Sequence, residues 1–71
     1  MTLGERIKIQ RLRLGWSRDA LAANAGVSEP TIYRLETDTA TPNMKKFEQI
    51  ISVLGGEIEV KFNAERSQDY G

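Results

Sequence analysis

The chain has 71 residues, neither cysteine nor histidine, and ten basic side chains balanced by ten acidic ones. Such a length holds one domain with a small core, and the missing residue types exclude disulfides, thiolate or imidazole metal sites and nearly all base and nucleophile pairings of hydrolases. No enzyme activity and no cofactor are therefore expected; no apolar run approaches the roughly 20 residues of a membrane span, and the first residues lack the apolar centre of a signal peptide, so a cytoplasmic protein is expected.

The first helix is announced by Thr2-x-x-Glu5, a capping-box spacing. Leu3, Ile7 and Leu14 share one stripe at helical spacing, bordered by Gln10 and Arg11, while Ile9 and Leu12 point to the opposite side. Charge is uneven along the chain. Residues 1–18 hold Arg6, Lys8, Arg11, Arg13 and Arg18 against Glu5 alone, a local excess of +4. Residues 19–42 sum to −3 and residues 43–71 to −1. Attraction to phosphate depends on the charges that face it, so a basic edge is compatible with zero net charge. The same run also fits a solvated helix face.

Residues 17–36 carry two short helical patterns joined by a tight turn. Ser17 and Ser28 are N-caps, Gly26 supplies the positive φ that ends the first helix of the pair, and Pro30 falls in the first turn of the second, where a missing N–H breaks no bond. Leu21, Ala25, Ile32 and Leu35 line the inner faces, Ala22 is small where the helices cross, and Val27 plugs the corner. This is the spacing of a DNA-reading helix-turn-helix, with an ordinary αα-hairpin as the alternative.

A polar connection, residues 37–42, ends at Pro42, which cannot continue a preceding helix and suits the start of the next. Met44, Phe47, Ile50, Ile51 and Leu54 then recur at helical spacing and complete the core, and Gly55-Gly56 stops that helix. Beyond it Glu57-Ile58-Glu59-Val60-Lys61-Phe62 alternates strictly, a strand pattern with no second strand pattern to pair with. A lone strand leaves its backbone unsatisfied, so a second copy is the simplest partner. An antiparallel register centred on Val60 sets Ile58 against Phe62 and Glu59 against Lys61 twice, whereas the neighbouring registers oppose like charges. The expected organisation is a helix-turn-helix domain over residues 1–55, a dimerisation strand over 56–62 and a flexible tail over 63–71.

Across residues 3–55 the sequence resembles the lambda-repressor-like (Cro/cI, XRE) helix-turn-helix family. The matching residues are Leu3-Gly4-Glu5-Arg6-Ile7, Arg11, Gly15-Trp16-Ser17, Leu21-Ala22, Ala25-Gly26-Val27-Ser28, Thr31-Ile32, Leu35-Glu36, Pro42 and Leu54-Gly55. Asp38 departs from the usual Gly after the second unit helix, Arg18 from a Gln, Gln10 from an apolar residue, and the strand-like segment from any fifth helix. The resemblance implies an all-α bundle of four or five helices, here with a C-terminal strand that pairs across a dimer, and a second unit helix that enters the major groove of double-stranded DNA. It further implies a partly buried ion pair between Arg11 and Glu36.

By the family pattern Glu29, Pro30, Thr31, Tyr33 and Arg34 face the groove, Ser28 lies nearer the backbone, and Ser17 and Arg18 present a helix N-terminus to phosphate. Arg34 is the best base reader, since its fork can bridge O6 and N7 of guanine. Glu29 either accepts from cytosine N4 or is neutralised by Arg18; Tyr33 either bonds a phosphate or covers the bundle edge. The loop after Glu36 would lie over the phosphates, with Asn43, Lys45 and Lys46 as donors. The strand resembles that of HipB-type antitoxins, dimeric regulators that repress their own operon and bind a toxin kinase of the HipA type. This implies a repressor of a palindromic operator, with a cognate toxin as a further partner. A phage-type repressor, a restriction-modification controller and a protein-interaction adaptor that has lost DNA binding are the alternatives.

Overall fold

Thr2 starts the first helix with both halves of the capping box. Its hydroxyl accepts the Glu5 N–H at 3.1 Å, and the Glu5 carboxylate accepts the Thr2 N–H at 2.7 Å. The computed structural model describes residues 1–55, and these form four helices: α1 (Leu3–Arg13), α2 (Arg18–Ala25), α3 (Glu29–Glu36) and α4 (Met44–Val53). The described residues thus form an all-helical lambda-repressor-like bundle. The expected strand at 56–62 and tail at 63–71 lie outside them.

Each helix starts on a side-chain oxygen: Thr2 for α1, Ser17 for α2, Ser28 for α3 and Asn43 for α4. Caps of this kind contribute typically about 1 kcal/mol each, a large fraction of the stability of so small a domain. Gly26, at φ +74°, ends α2 in the left-handed region, and the Val27 N–H reaches back to the Ala22 carbonyl at 3.0 Å. Pro30 stands in the first turn of α3, and Pro42 stands just ahead of the Asn43 cap rather than inside α4.

Helix α2 packs against both α3 and α4, and α1 packs against α3. Ile7, Leu21, Ala22, Ala25, Ile32, Leu35, Phe47, Ile50 and Leu54 form the buried core, with Leu3, Trp16, Val27, Ile51 and Val53 partly buried around it. Burying side chains of this size contributes roughly 1.5–3 kcal/mol for each large aliphatic or aromatic residue.

Two residues expected in the core are on the surface. Leu14, the C-cap of α1, is 42% exposed, because the buried part of that helix face ends at Gln10 and Arg11. Met44 is 48% exposed because, although it shares the stripe of Phe47 and Ile50, it is the first residue of α4 and stands at the helix end.

Gln10 is buried and its side-chain N–H donates to the Leu54 carbonyl at 3.0 Å, satisfying an acceptor at the end of α4. A polar residue replaces an apolar one here because it ties α1 to the last turn of the bundle. Gly4 sits where α1 meets the end of α3, and a Cβ there would fall 2.5 Å from the carbonyl oxygens of Leu35 and Glu36. Only glycine permits that approach. Asp38 adopts φ +58° without being glycine, and its carboxylate accepts from the Thr2 hydroxyl at 2.7 Å and from the Gly4 N–H at 3.2 Å. The negative charge at the start of α1 also complements the helix dipole.

Candidate nucleic-acid interface

Helix α3 presents two unlike faces. Ile32, Leu35 and Glu36 are buried against the bundle, whereas Pro30, Tyr33 and Arg34 are exposed and Thr31 is half-buried. The sequence produces this division by placing its apolar residues three apart, which leaves the intervening positions to solvent.

At the inner end of α3, Glu36 receives two bonds from Arg11, from Nε at 2.6 Å and from Nη2 at 3.0 Å, and Arg11 Nη1 donates to the Trp16 carbonyl at 2.8 Å. The side chains are 7% and 2% exposed. The hydrogen bond to Glu36 raises the Arg11 pKa above its ordinary value, against the opposing effect of burial. Arg11 therefore stays charged, with its planar fork matched to the Glu36 carboxylate. It fixes α3 to α1 and to the turn before α2, well away from the outward face.

At the outer end, Arg18 at the first position of α2 donates from Nε to Glu29 at 2.9 Å, and its guanidinium lies 5.0 Å from the centre of the Tyr33 ring. Of the two arrangements open to Glu29, the structure contains neutralisation by Arg18. Tyr33 is 49% exposed and serves as a platform for that cation. With Nε occupied, Arg18 still offers its Nη hydrogens.

Ser17 accepts from the Ala20 N–H at 3.0 Å. Ser28 accepts from the Thr31 N–H at 3.4 Å and shares a hydrogen bond of 2.9 Å with the Thr31 hydroxyl. These oxygens are thus committed to capping. Arg34 is exposed and, among the described residues, its guanidinium has no carboxylate partner. It borders a cleft of about 170 Å³ shared with Thr31, Ala40, Thr41, Pro42, Asn43 and Lys46. The Asn43 oxygen caps α4 by accepting from the Lys46 N–H at 2.9 Å, leaving its NH₂ to donate outward.

Lys46 lines this cleft. Lys45 instead lies in a separate groove with Asn24, Glu48 and Gln49, between α2 and α4. One helical step separates the two lysines, and the sequence alone does not say which points toward α3. Its useful signal is the Asn43 cap, which sets where α4 starts and therefore which way each lysine turns. The described residues thus bring Arg18, Glu29 and Tyr33 together on one side of the α3 surface and Thr31, Arg34, Asn43 and Lys46 on the other.

Comparison with known proteins bears on this face. A protein of Pyrobaculum aerophilum, named as an HTH-type transcriptional regulatory protein, is 34% identical over 58 residues. That stretch is 82% of this chain but 23% of the relative, so the chain spans under a quarter of the length of the curated protein that it matches. No solved structure matches the chain. The pattern of the helix-turn-helix family matches residues 7–61, more than half of the chain. The chain belongs to the helix-turn-helix family of the Cro/cI (XRE) type, a family of DNA-binding transcription regulators.

Proposed function

We propose that this protein is a dimeric, sequence-specific DNA-binding repressor that reads a palindromic operator with α3 in the major groove. The observation that carries this reading is the outward face of α3, where an exposed Arg34 with no carboxylate partner among the described residues stands beside a cleft edged by Thr31, Asn43 and Lys46. An arginine so placed can bridge O6 and N7 of guanine, and the cleft edge offers donors for the flanking phosphates. The Arg18–Glu29 pair supports the reading, since a lone carboxylate on this face would be repelled by phosphate. It also weighs against the alternative of an adaptor that has lost DNA binding, because Glu29 carries its own countercharge on this face.

Residues 56–62 supply the dimer contact as a two-stranded antiparallel ribbon centred on Val60, and the two copies of α3 reach half-sites about one helical turn apart. The alternating segment after Gly56 favours the antitoxin form of such a repressor, which controls its own operon and binds a HipA-type kinase, over the phage-type and restriction-modification forms.

Selection from a random duplex pool tests the function. The expected result is an enriched palindrome, affinity that falls steeply with salt, and a loss of about 1–3 kcal/mol with relaxed specificity at one base pair in Arg34→Ala. A folded dimer that enriches no sequence would overturn the proposal.

A further inference from the structure

Outside the α3 surface, a solvent-facing apolar feature of the described residues is the outer side of α1. Ile9 is 36% exposed and Leu12 55%, and with Met1, Glu5 and Lys8 they line a shallow groove of about 490 Å³. These positions recur at helical spacing, so they form one continuous strip opposite the core-facing Ile7. We infer that the chain's own segment 57–62 lies along this strip, with Ile58, Val60 and Phe62 covering Ile9, Leu12 and Met1.

The place where the chain leaves the bundle supports that occupant. The buried Gln10 side chain holds the Leu54 carbonyl at 3.0 Å, so the chain departs beside α1, one residue along from Ile9. Gly55, at φ +90°, then turns it. The family match extends beyond α4 to residue 61, which takes in all of the segment but Phe62.

Length fits as well. From Glu5 to Leu12 the helix rises about 10 Å, and from Ile58 to Phe62 an extended chain spans about 13 Å. A segment that starts near the C-terminal half of α1 runs antiparallel to it, and with Ile58, Val60 and Phe62 turned to the helix the charged Glu57, Glu59 and Lys61 alternate to the solvent side. Docking uses one side-chain face and leaves a backbone edge for a second copy, so the inference builds on the proposed ribbon and tells where that ribbon sits.

The absence of cysteine from the chain makes the test direct. The double variants Ile9→Cys with Val60→Cys, and Lys45→Cys with Val60→Cys as a control on the α2–α4 side, are treated with a short bifunctional thiol crosslinker. The expected result is an intrachain bridge between residues 9 and 60 that forms about tenfold or more faster than the control, the advantage of a held position over a tethered free segment. Equal rates would overturn the inference. So would bridging that appears only between chains when the two single variants, Ile9→Cys and Val60→Cys, are mixed, because the partner's segment would then be the occupant. Val60→Cys alone reads the ribbon separately: interchain coupling of residue 60 without the 9–60 bridge would keep the dimer and remove the docking.

Discussion

Helix α3 is held at its two ends by two arginine–glutamate pairs that resemble each other in the sequence and differ in every physical respect. Arg11 and Glu36 are joined by two bonds and nearly lost to solvent, whereas Arg18 and Glu29 share one bond with side chains 40% and 34% exposed. Burial decides their roles. Ions withdrawn from water cost several kcal/mol each unless fully paired, so the inner pair constrains the fold. The outer pair is screened by solvent, is worth about 1 kcal/mol at most, and can exchange partners with DNA.

The largest effect should follow from breaking the inner pair. Glu36→Gln keeps the shape but leaves the Arg11 guanidinium buried beside a neutral group, with an expected loss of about 3–5 kcal/mol in urea or thermal unfolding. The double change Arg11→Met with Glu36→Leu should recover much of that loss. It should not recover all of it, because the Trp16 carbonyl loses the Arg11 N–H that it accepts. A double variant as unstable as Glu36→Gln would show that the pair itself stabilises the fold rather than merely needing to be complete. The raised Arg11 pKa sets the pH range of this contribution. It is fully present below the unfolded guanidinium value and fades only as pH rises through the still higher folded one, so between neutral and mildly alkaline pH Arg11 adds no slope to stability.

Next in size is the seam that the inner pair closes. Gly4→Ala puts a methyl group 2.5 Å from two carbonyl oxygens of α3, and backbone cannot yield as a side-chain tip does. The expected cost is roughly 1–3 kcal/mol, although alanine is the better helix former by about 1 kcal/mol. Circular dichroism melting of this variant checks it, and unchanged stability would mean that α1 and α3 are free to separate.

The two ends of α3 were also unequally legible in the sequence. Local chemistry was readable: the caps at Thr2, Ser17 and Ser28, the positive φ of Gly26 and the apolar spacing of α2 and α3 all follow from neighbours within four residues. Long-range contacts were not. Gln10 finds its acceptor 44 residues away at Leu54, and Asp38 reaches back to Thr2 and Gly4, so neither partner is implied by spacing along the chain. Leu14 and Met44 misled because each lies at a helix end, where the apolar face continues along the helix but its burial does not. Glu29 had two physically sound arrangements, and choosing between them required the crossing of α2 over α3 that sets Arg18 beside it.

The smallest change in stability, and the most informative for binding, should come from Glu29→Gln. Its carboxylate is a third exposed, so its loss should shift unfolding by no more than about 1 kcal/mol. On DNA the consequence is larger and has a definite sign. If Glu29 acts by holding Arg18 on the Tyr33 ring, the variant removes one negative charge facing phosphate and releases one arginine. Affinity for unrelated duplex should then rise, the salt slope should steepen by about 1, and discrimination should fall because a released guanidinium follows phosphate instead of a fixed position. If Glu29 leaves Arg18 and accepts from cytosine, the operator complex alone should weaken, by about 1–3 kcal/mol, with unrelated DNA little affected. Measuring both duplexes across one salt series separates the two, because the first outcome moves the slope and the second moves the intercept for a single sequence.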